Sequence, residues 1–283
     1  MNETDLDKIR KYPWDLKNAK TQTYEMCIES VKYDGELLKD VRWGELNLTK
    51  EQIYNLCLIA VKQNGKALKY VKLDVLSKGQ VNKIYFEAVK ENGLALYYVK
   101  NQIPEICREA VRSSGFALYY VKNQTPVICT EAVKRDGIAL IHVKWNELEG
   151  KISKEQMLEI CIEAVRENSL ALEYVEWHML SEVQIDKICR EALKQDRHLI
   201  RYIKDKEKYL EEFDIKYLKK QGKAKEVIAI KEEGTWLFTI GCQYKITKET
   251  FIDRIYNGGR GFDLGKKINV HRQIYVDFLK EFE

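Results

Sequence analysis

Cysteine and histidine are the side chains best able to ligate a metal or attack a substrate, and this chain has seven of the first and four of the second. Zinc ligation asks for clusters such as Cys-x2-Cys with histidines nearby. Here Cys27, Cys57, Cys107, Cys129, Cys161, Cys189 and Cys242 stand at least 22 residues apart. His142, His178, His198 and His271 are scattered, and none makes a recognisable pair with a Ser or Cys nucleophile. The reading therefore assigns no catalytic residue and no metal ligand, and expects no cofactor.

One stretch suits an anion. Gly258-Gly259-Arg260-Gly261 is followed by Lys266, Lys267, His271 and Arg272, so cations gather before the last helix, where backbone N–H groups favour phosphate or an acidic ligand. The two leading glycines also serve as an ordinary helix stop.

Two rows of side chains carry more information. Arg42, Lys72, Lys100, Lys122, Lys144 and Lys204 recur as cations with no built-in partner, and beside them run Tyr70, Tyr98, Tyr120, His142, Tyr174 and Tyr202. A stripe of alternating cation and ring would suit an acidic peptide, or RNA through phosphate contact and base stacking. The competing reading packs the tyrosines between structural units and sets the lysines against helix C-terminal dipoles.

These rows exist because the chain repeats. EMCIESVKYDGELLKDV (25–41), NLCLIAVKQNGKALKYV (55–71) and KIYFEAVKENGLALYYV (83–99) align with four later segments at 105–121, 127–143, 159–175 and 187–203. Six of the seven cysteines share one repeat position, which is Tyr85 in the third copy. Apolar or small residues one before, at, three after and four after that position form one stripe on a 3.6-residue period, an amphipathic helix.

Eight residues after the cysteine position stands Gly35, Gly65, Gly93, Gly115 or Gly137, usually behind Asn or Asp. This spacing predicts a left-handed helix C-cap, with Ser169 and Arg197 fitting less comfortably in the last two copies. A short second helix is expected after the glycine, folding back on the first.

Thr49/Gln52, Ser77/Gln80, Ser153/Gln156 and Ser181/Gln184 are capping boxes that open four longer copies. Pro104 and Pro126 open the shorter fourth and fifth copies, at a helix position that lacks an N–H partner anyway. Connectors such as WGEL (43–46), WNEL (145–148) and WHML (177–180) are expected to seal the wider gaps. Glu two after the cysteine and Lys or Arg three further on predict an ion pair within each helix. Helix pairs of this size cannot bury their stripe alone, so neighbours must stack into an α-solenoid.

YVKNQTPVICTEAVKRDGIAL (120–140) and AVKQNGKALKYVK (60–72) resemble the bacterial repeats of domain of unknown function 4116. The resemblance covers roughly residues 23–204 and implies a helical array with no shared activity attached. Through the effector-like and mobile-element proteins in which such repeats occur, it also implies an inhibitor docking on a host or defence protein, such as a nucleic-acid-guided nuclease.

Beyond the array the pattern changes. Residues 1–22 read as an N-terminal cap, 23–204 as the array, 205–225 as a charged linking helix, and 226–283 as a small α+β module. In that module VIAIKEE (227–233) and TWLFTIG (235–241) predict a hairpin turning at Gly234, followed by helices over 247–259 and 270–282.

Composition agrees with a mainly α chain: 15 Gly and 3 Pro are few breakers for 283 residues. Net charge is +4, and residues 1–204 and 205–283 carry +2 each, so neither part is a basic domain. No secretory leader or long apolar run is read, and unpaired core cysteines fit a reducing cytosol, which sets the expectation of a cytoplasmic protein away from membranes. The leading expectation is a non-enzymatic protein-binding solenoid. A single-stranded RNA-binding solenoid is the alternative, and an enzyme with its site in the C-terminal module is the third reading.

Overall fold

The computed structural model describes residues 4–257, 262–263 and 268–282. Tertiary contacts divide the chain into two units, Met1–Ile188 and Cys189–Glu283.

The first unit is the repeat array. Its helices are α1 (Asp5–Lys11), α2 (Tyr24–Tyr33), α3 (Lys50–Gln63), α4 (Lys78–Glu91), α5 (Pro104–Ser113), α6 (Pro126–Arg135), the short connector α7 (Trp145–Leu148), α8 (Lys154–Glu167) and the start of α9 (Glu182–Gln195). All but α7 are followed by a six-residue 3-10 segment: Pro13–Asn18, Gly35–Asp40, Gly65–Tyr70, Gly93–Tyr98, Gly115–Tyr120, Gly137–His142 and Ser169–Tyr174 in this unit. From α2 to α8, the repeat helices pack each on the next, and so do their 3-10 segments, giving two layers. Between them the core is a column of repeat-equivalent side chains, including Cys57, Ala60, Val61 and Leu68 in one copy and Cys129, Ala132, Val133 and Leu140 in another.

The expected left-handed glycine cap is not what forms. None of the five repeat glycines has positive φ. The residue before each is extended, as at Asn64 (φ −151°, ψ 111°), and in four of the unit's repeats its side chain accepts the N–H two residues on, opening the 3-10 turn. Glycine is needed for space instead: a β-carbon on Gly115 would overlap the Ala132 carbonyl oxygen of the next repeat, and Gly35, Gly65, Gly93 and Gly137 meet Ala60, Ala88, Ala110 and Ala164 in the same way. Ser169 and Arg197 consequently carry no left-handed strain. The second helix of each pair is 3-10 because its bonds close over three residues, as from Ala117 N–H to Ser114 O and from Val121 N–H to Leu118 O.

The expected ion pair within each helix holds for Glu29–Lys32 (3.3 Å) and Glu163–Arg166 (3.1 Å). Glu87 instead pairs with Lys83, four residues earlier on its own helix (2.8 Å), while Glu131 reaches a neighbouring helix to accept from Arg108 and Arg112, and Glu163 also meets Lys134. Glu163 thus joins both kinds of pair, 3.1 Å from Arg166 on its own helix and 3.6 Å from Lys134 on the neighbouring one.

The second unit begins inside α9 and takes in the 3-10 segment Arg197–Tyr202. The expected linking helix over 205–225 is not formed. Only α10 (Glu207–Leu210) is helical there; Asp214 turns the chain at φ 51°, and β1 (Ile215–Leu218) pairs with β2 (Val227–Glu232). Strand pairing overrides the helix propensity of this charged stretch.

The hairpin of β2 with β3 (Thr235–Ile240) turns through Glu233 and Gly234, both at positive φ, as a two-residue turn of this hand requires. With β4 (Gln243–Ile246) it completes an antiparallel sheet in the order β1-β2-β3-β4. The helices α11 (Lys248–Asn257) and α12 (Arg272–Leu279) are joined through a strand pair of β5 (Phe262–Asp263) and β6 (Ile268–Asn269). Val227, Ala229 and Phe238 pack with Phe251, Ile255, Tyr275 and Phe278. The run VIAI is buried on both faces of β2.

Candidate functional site

The cysteines of the array lie in its core. Burial pushes the thiols of Cys27, Cys57 and Cys107 up to about 11 and those of Cys129 and Cys161 up to about 12. Such thiols stay protonated, and two of them serve as hydrogen-bond donors within the fold. Cys107 and Cys129 donate to Gln102 and Gln124 Oε1 over 3.7 and 3.6 Å. Cys242, in the second unit, is exposed.

Those glutamines are functional parts of the array that sequence reasoning missed. Gln124 Nε2 donates to Leu118 O and His142 O, while its Oε1 accepts from Lys144 N, strapping one 3-10 segment to the next. Gln22 repeats the pattern on Leu16 O, Asp40 O and Arg42 N, and Gln102 repeats part of it on Tyr120 O and Lys122 N. The signal was available, because glutamine stands five residues before the cysteine position in all seven copies.

The cation row runs along the seams between repeats. Lys122 Nζ donates to Lys100 O (2.9 Å), Lys144 Nζ to Val121 O (3.2 Å), and the Arg42 guanidinium to Ala19 O (2.8 Å). Each cation thus meets a carbonyl of the preceding repeat. Lys72 is half-buried, and Lys100 is exposed.

The ring row is half-buried except for the exposed Tyr202, but it supports a second, exposed row that periodicity alone does not single out. In a 3-10 helix, residues three apart eclipse, so the second and fifth residues of each segment share a face. Through three consecutive repeats these are Leu94/Tyr97, Phe116/Tyr119 and Ile138/Ile141. Tyr97 is 65% exposed, Tyr119 61% and Ile141 51%. Tyr98, Tyr97, Tyr120, Tyr119, His142 and Phe116 form an unbroken edge-to-face ladder with centroids 5.0–5.9 Å apart. Earlier repeats place Glu36/Lys39 and Lys66/Lys69 on the same positions, and there Lys69 pairs with Glu36 at 3.0 Å and lies over the Tyr70 ring. The face is therefore apolar in the middle repeats and charged before them. Tyr174 stands at a cavity of about 260 Å³ beside Ile141 and Glu173.

In the second unit, His198 forms a bonded chain with Asp196 and Thr239. Its Nδ1 lies 2.9 Å from Asp196 Oδ1 and its Nε2 2.9 Å from Thr239 Oγ1, while Tyr244 covers the ring. The residue types match a nucleophile triad, but the Thr239 hydroxyl is buried in β3 and also accepts from Lys245 N. This chain, with Arg197 donating to Lys231 O and Arg201 paired with Glu226, ties the last 3-10 segment to the sheet. Burial lowers the His198 pKa against the opposing pull of Asp196.

Of the expected anion site, Arg260, Lys266 and Lys267 lie outside the described residues. Arg272 lies over the Tyr256 ring at 4.8 Å, and His271 N donates to Asn269 Oδ1. A separate cavity of about 250 Å³, lined by Lys225, Arg254, Phe251 and Tyr275, offers two cations over an apolar floor. Among the described residues no group of His, Cys, Asp or Glu is placed to hold a metal ion, and no helix is long and apolar enough to cross a membrane.

The fold defines a two-layer helical-repeat array accompanied by a small α+β unit. Comparison with protein-family models, curated proteins and solved structures gives no match to this chain.

Proposed function

We propose that the protein is a non-enzymatic interaction module that binds another protein on the exposed second and fifth positions of its middle 3-10 segments. The observation that carries this reading is the continuous solvent-facing row of Leu94, Tyr97, Phe116, Tyr119 and Ile141 on consecutive repeats. Contiguous apolar surface of this kind is rare on proteins without partners. Tyrosine anchors also lose little side-chain entropy when buried at an interface. The adjacent Lys122 and Lys144 ammonium groups sit on backbone carbonyls, which makes protein a better fit than a phosphate backbone. The narrower reading of an effector or inhibitor acting on a defence protein rests on the family resemblance.

A photo-reactive phenylalanine analogue at Tyr119, compared with one at Lys90 on the helical layer, tests the reading in cells. One protein cross-linked from position 119 and none from position 90 is the expected result. Cross-links to RNA from 119, or the same products from both positions, would sink it.

A further inference from the structure

The exposed row does not end as it began. After three uncharged repeats, the fifth position of the sixth repeat is Glu173. Beside it opens the cavity of about 260 Å³, lined by Ile141, Trp145, Tyr174 and Val175 together with Glu173 and Glu176. Trp145 and Val175 are buried there, and Tyr174 is half-buried. Both glutamates are exposed; among the described residues Glu173 has no ion-pair partner, and Glu176 meets only the exposed His178 at 3.5 Å. The nearby cation, Lys144, is held by Val121 O and Glu147. The cavity thus combines apolar and aromatic side chains with two carboxylates.

Resting on the reading of the ring face as a protein-binding surface, we infer that the partner inserts an arginine side chain between the fifth and sixth repeats, its guanidinium held by Glu173 and Glu176. Charge complementarity selects the cation. Apolar walls suit the methylene stem, the planar head can stack on an aromatic ring, and two carboxylates match its fork of donors. A bound metal ion would want a fuller set of oxygen ligands than two carboxylates among apolar side chains. Because Ile141 lines the cavity, is 51% exposed and belongs to the same row as Tyr119, the residues beside the arginine in the partner are apolar or aromatic and continue onto Tyr119.

The full-length protein is panned against random dodecapeptides displayed on phage. Enriched peptides are then synthesised and their affinities measured against the parent, Tyr97→Ser/Tyr119→Ser and Glu173→Gln/Glu176→Gln, with melting curves confirming that each variant folds. The expected peptides share an arginine beside an aromatic or aliphatic residue. Citrulline in its place, or the double glutamine variant, weakens binding about tenfold, and the two changes together cost little more than either alone. Peptides that need Tyr97 and Tyr119 but ignore Glu173→Gln/Glu176→Gln overturn the arginine pocket and leave the ring face standing. No enrichment, or binding indifferent to both variant pairs, overturns both. A labelled oligouridylate that outcompetes the peptides and is lost with the tyrosines assigns the ladder to nucleic acid and overturns the proposal.

Discussion

Gly115 and Gly234, one from each unit, are glycine for opposite reasons. In the array, Gly115 has an ordinary backbone conformation and no room for a side chain; in the C-terminal unit, Gly234 has open space around it and a φ of +82°. The first requirement comes from a neighbouring repeat, the second from the residue's own turn. Stability in the array is therefore shared between successive copies, as expected of a quasi-one-dimensional stack, whereas the sheet unit depends on contacts made once.

Alanine at the two sites gives the sharpest test of this difference. Gly115→Ala forces two repeats apart and should cost about 3 kcal/mol. Gly234→Ala should cost about 1 kcal/mol. Urea titration followed by circular dichroism measures both, and equal losses would break the contrast.

Next in size is Gln124→Ala, which leaves Leu118 O, His142 O and Lys144 N without their buried partner and should cost about 2 kcal/mol. Gln156→Ala, at the same repeat position but exposed in its capping box, should cost about 1 kcal/mol. The pair shows whether the strap between repeats matters more than the cap of a helix.

A smaller effect comes from pH, and burial places it in both units, through His142 in the array and His198 in the C-terminal unit. Burial holds the folded-state pKa of His198 below its unfolded value of 6.5, so the unfolded chain binds the extra proton more readily. Stability of the C-terminal unit should be full above about pH 6.5 and fall as pH drops below it. Melting at pH 7.5 and 5.5 should show a difference that shrinks in His198→Gln; an unchanged difference removes His198 as its source.

Thiol labelling should perturb stability least. At neutral pH the native protein should react rapidly with a thiol reagent at Cys242 alone, and at all seven cysteines once unfolded. Fast reaction of a second thiol would mean that a repeat opens locally.

Much of the array was legible because helical periodicity and capping are local. The column of Cys, Ala and Val, the capping boxes at Thr49, Ser77 and Ser153, and the prolines opening α5 and α6 all stand where their spacing put them. The hairpin at Gly234 was equally local. The strand Ile215–Leu218 was not, because a short charged segment becomes a strand only when a partner such as β2 is beside it. The candidate surface was half legible: the Tyr98 and Tyr120 row is visible as a repeat, but the exposed row of Tyr97 and Tyr119 emerges only once the second helix is known to be 3-10.

The glutamine five residues before each cysteine position shows where the division falls. Sequence alone determined that it recurs seven times and that in the long copies it closes a capping box, since Ser or Thr stands three residues away. Only the tertiary structure decided that Gln22, Gln102 and Gln124, whose helices start later, turn instead to the carbonyls of adjacent 3-10 segments. A side chain's local partner can be read from its spacing; its partner in the next repeat exists only once the two repeats have packed.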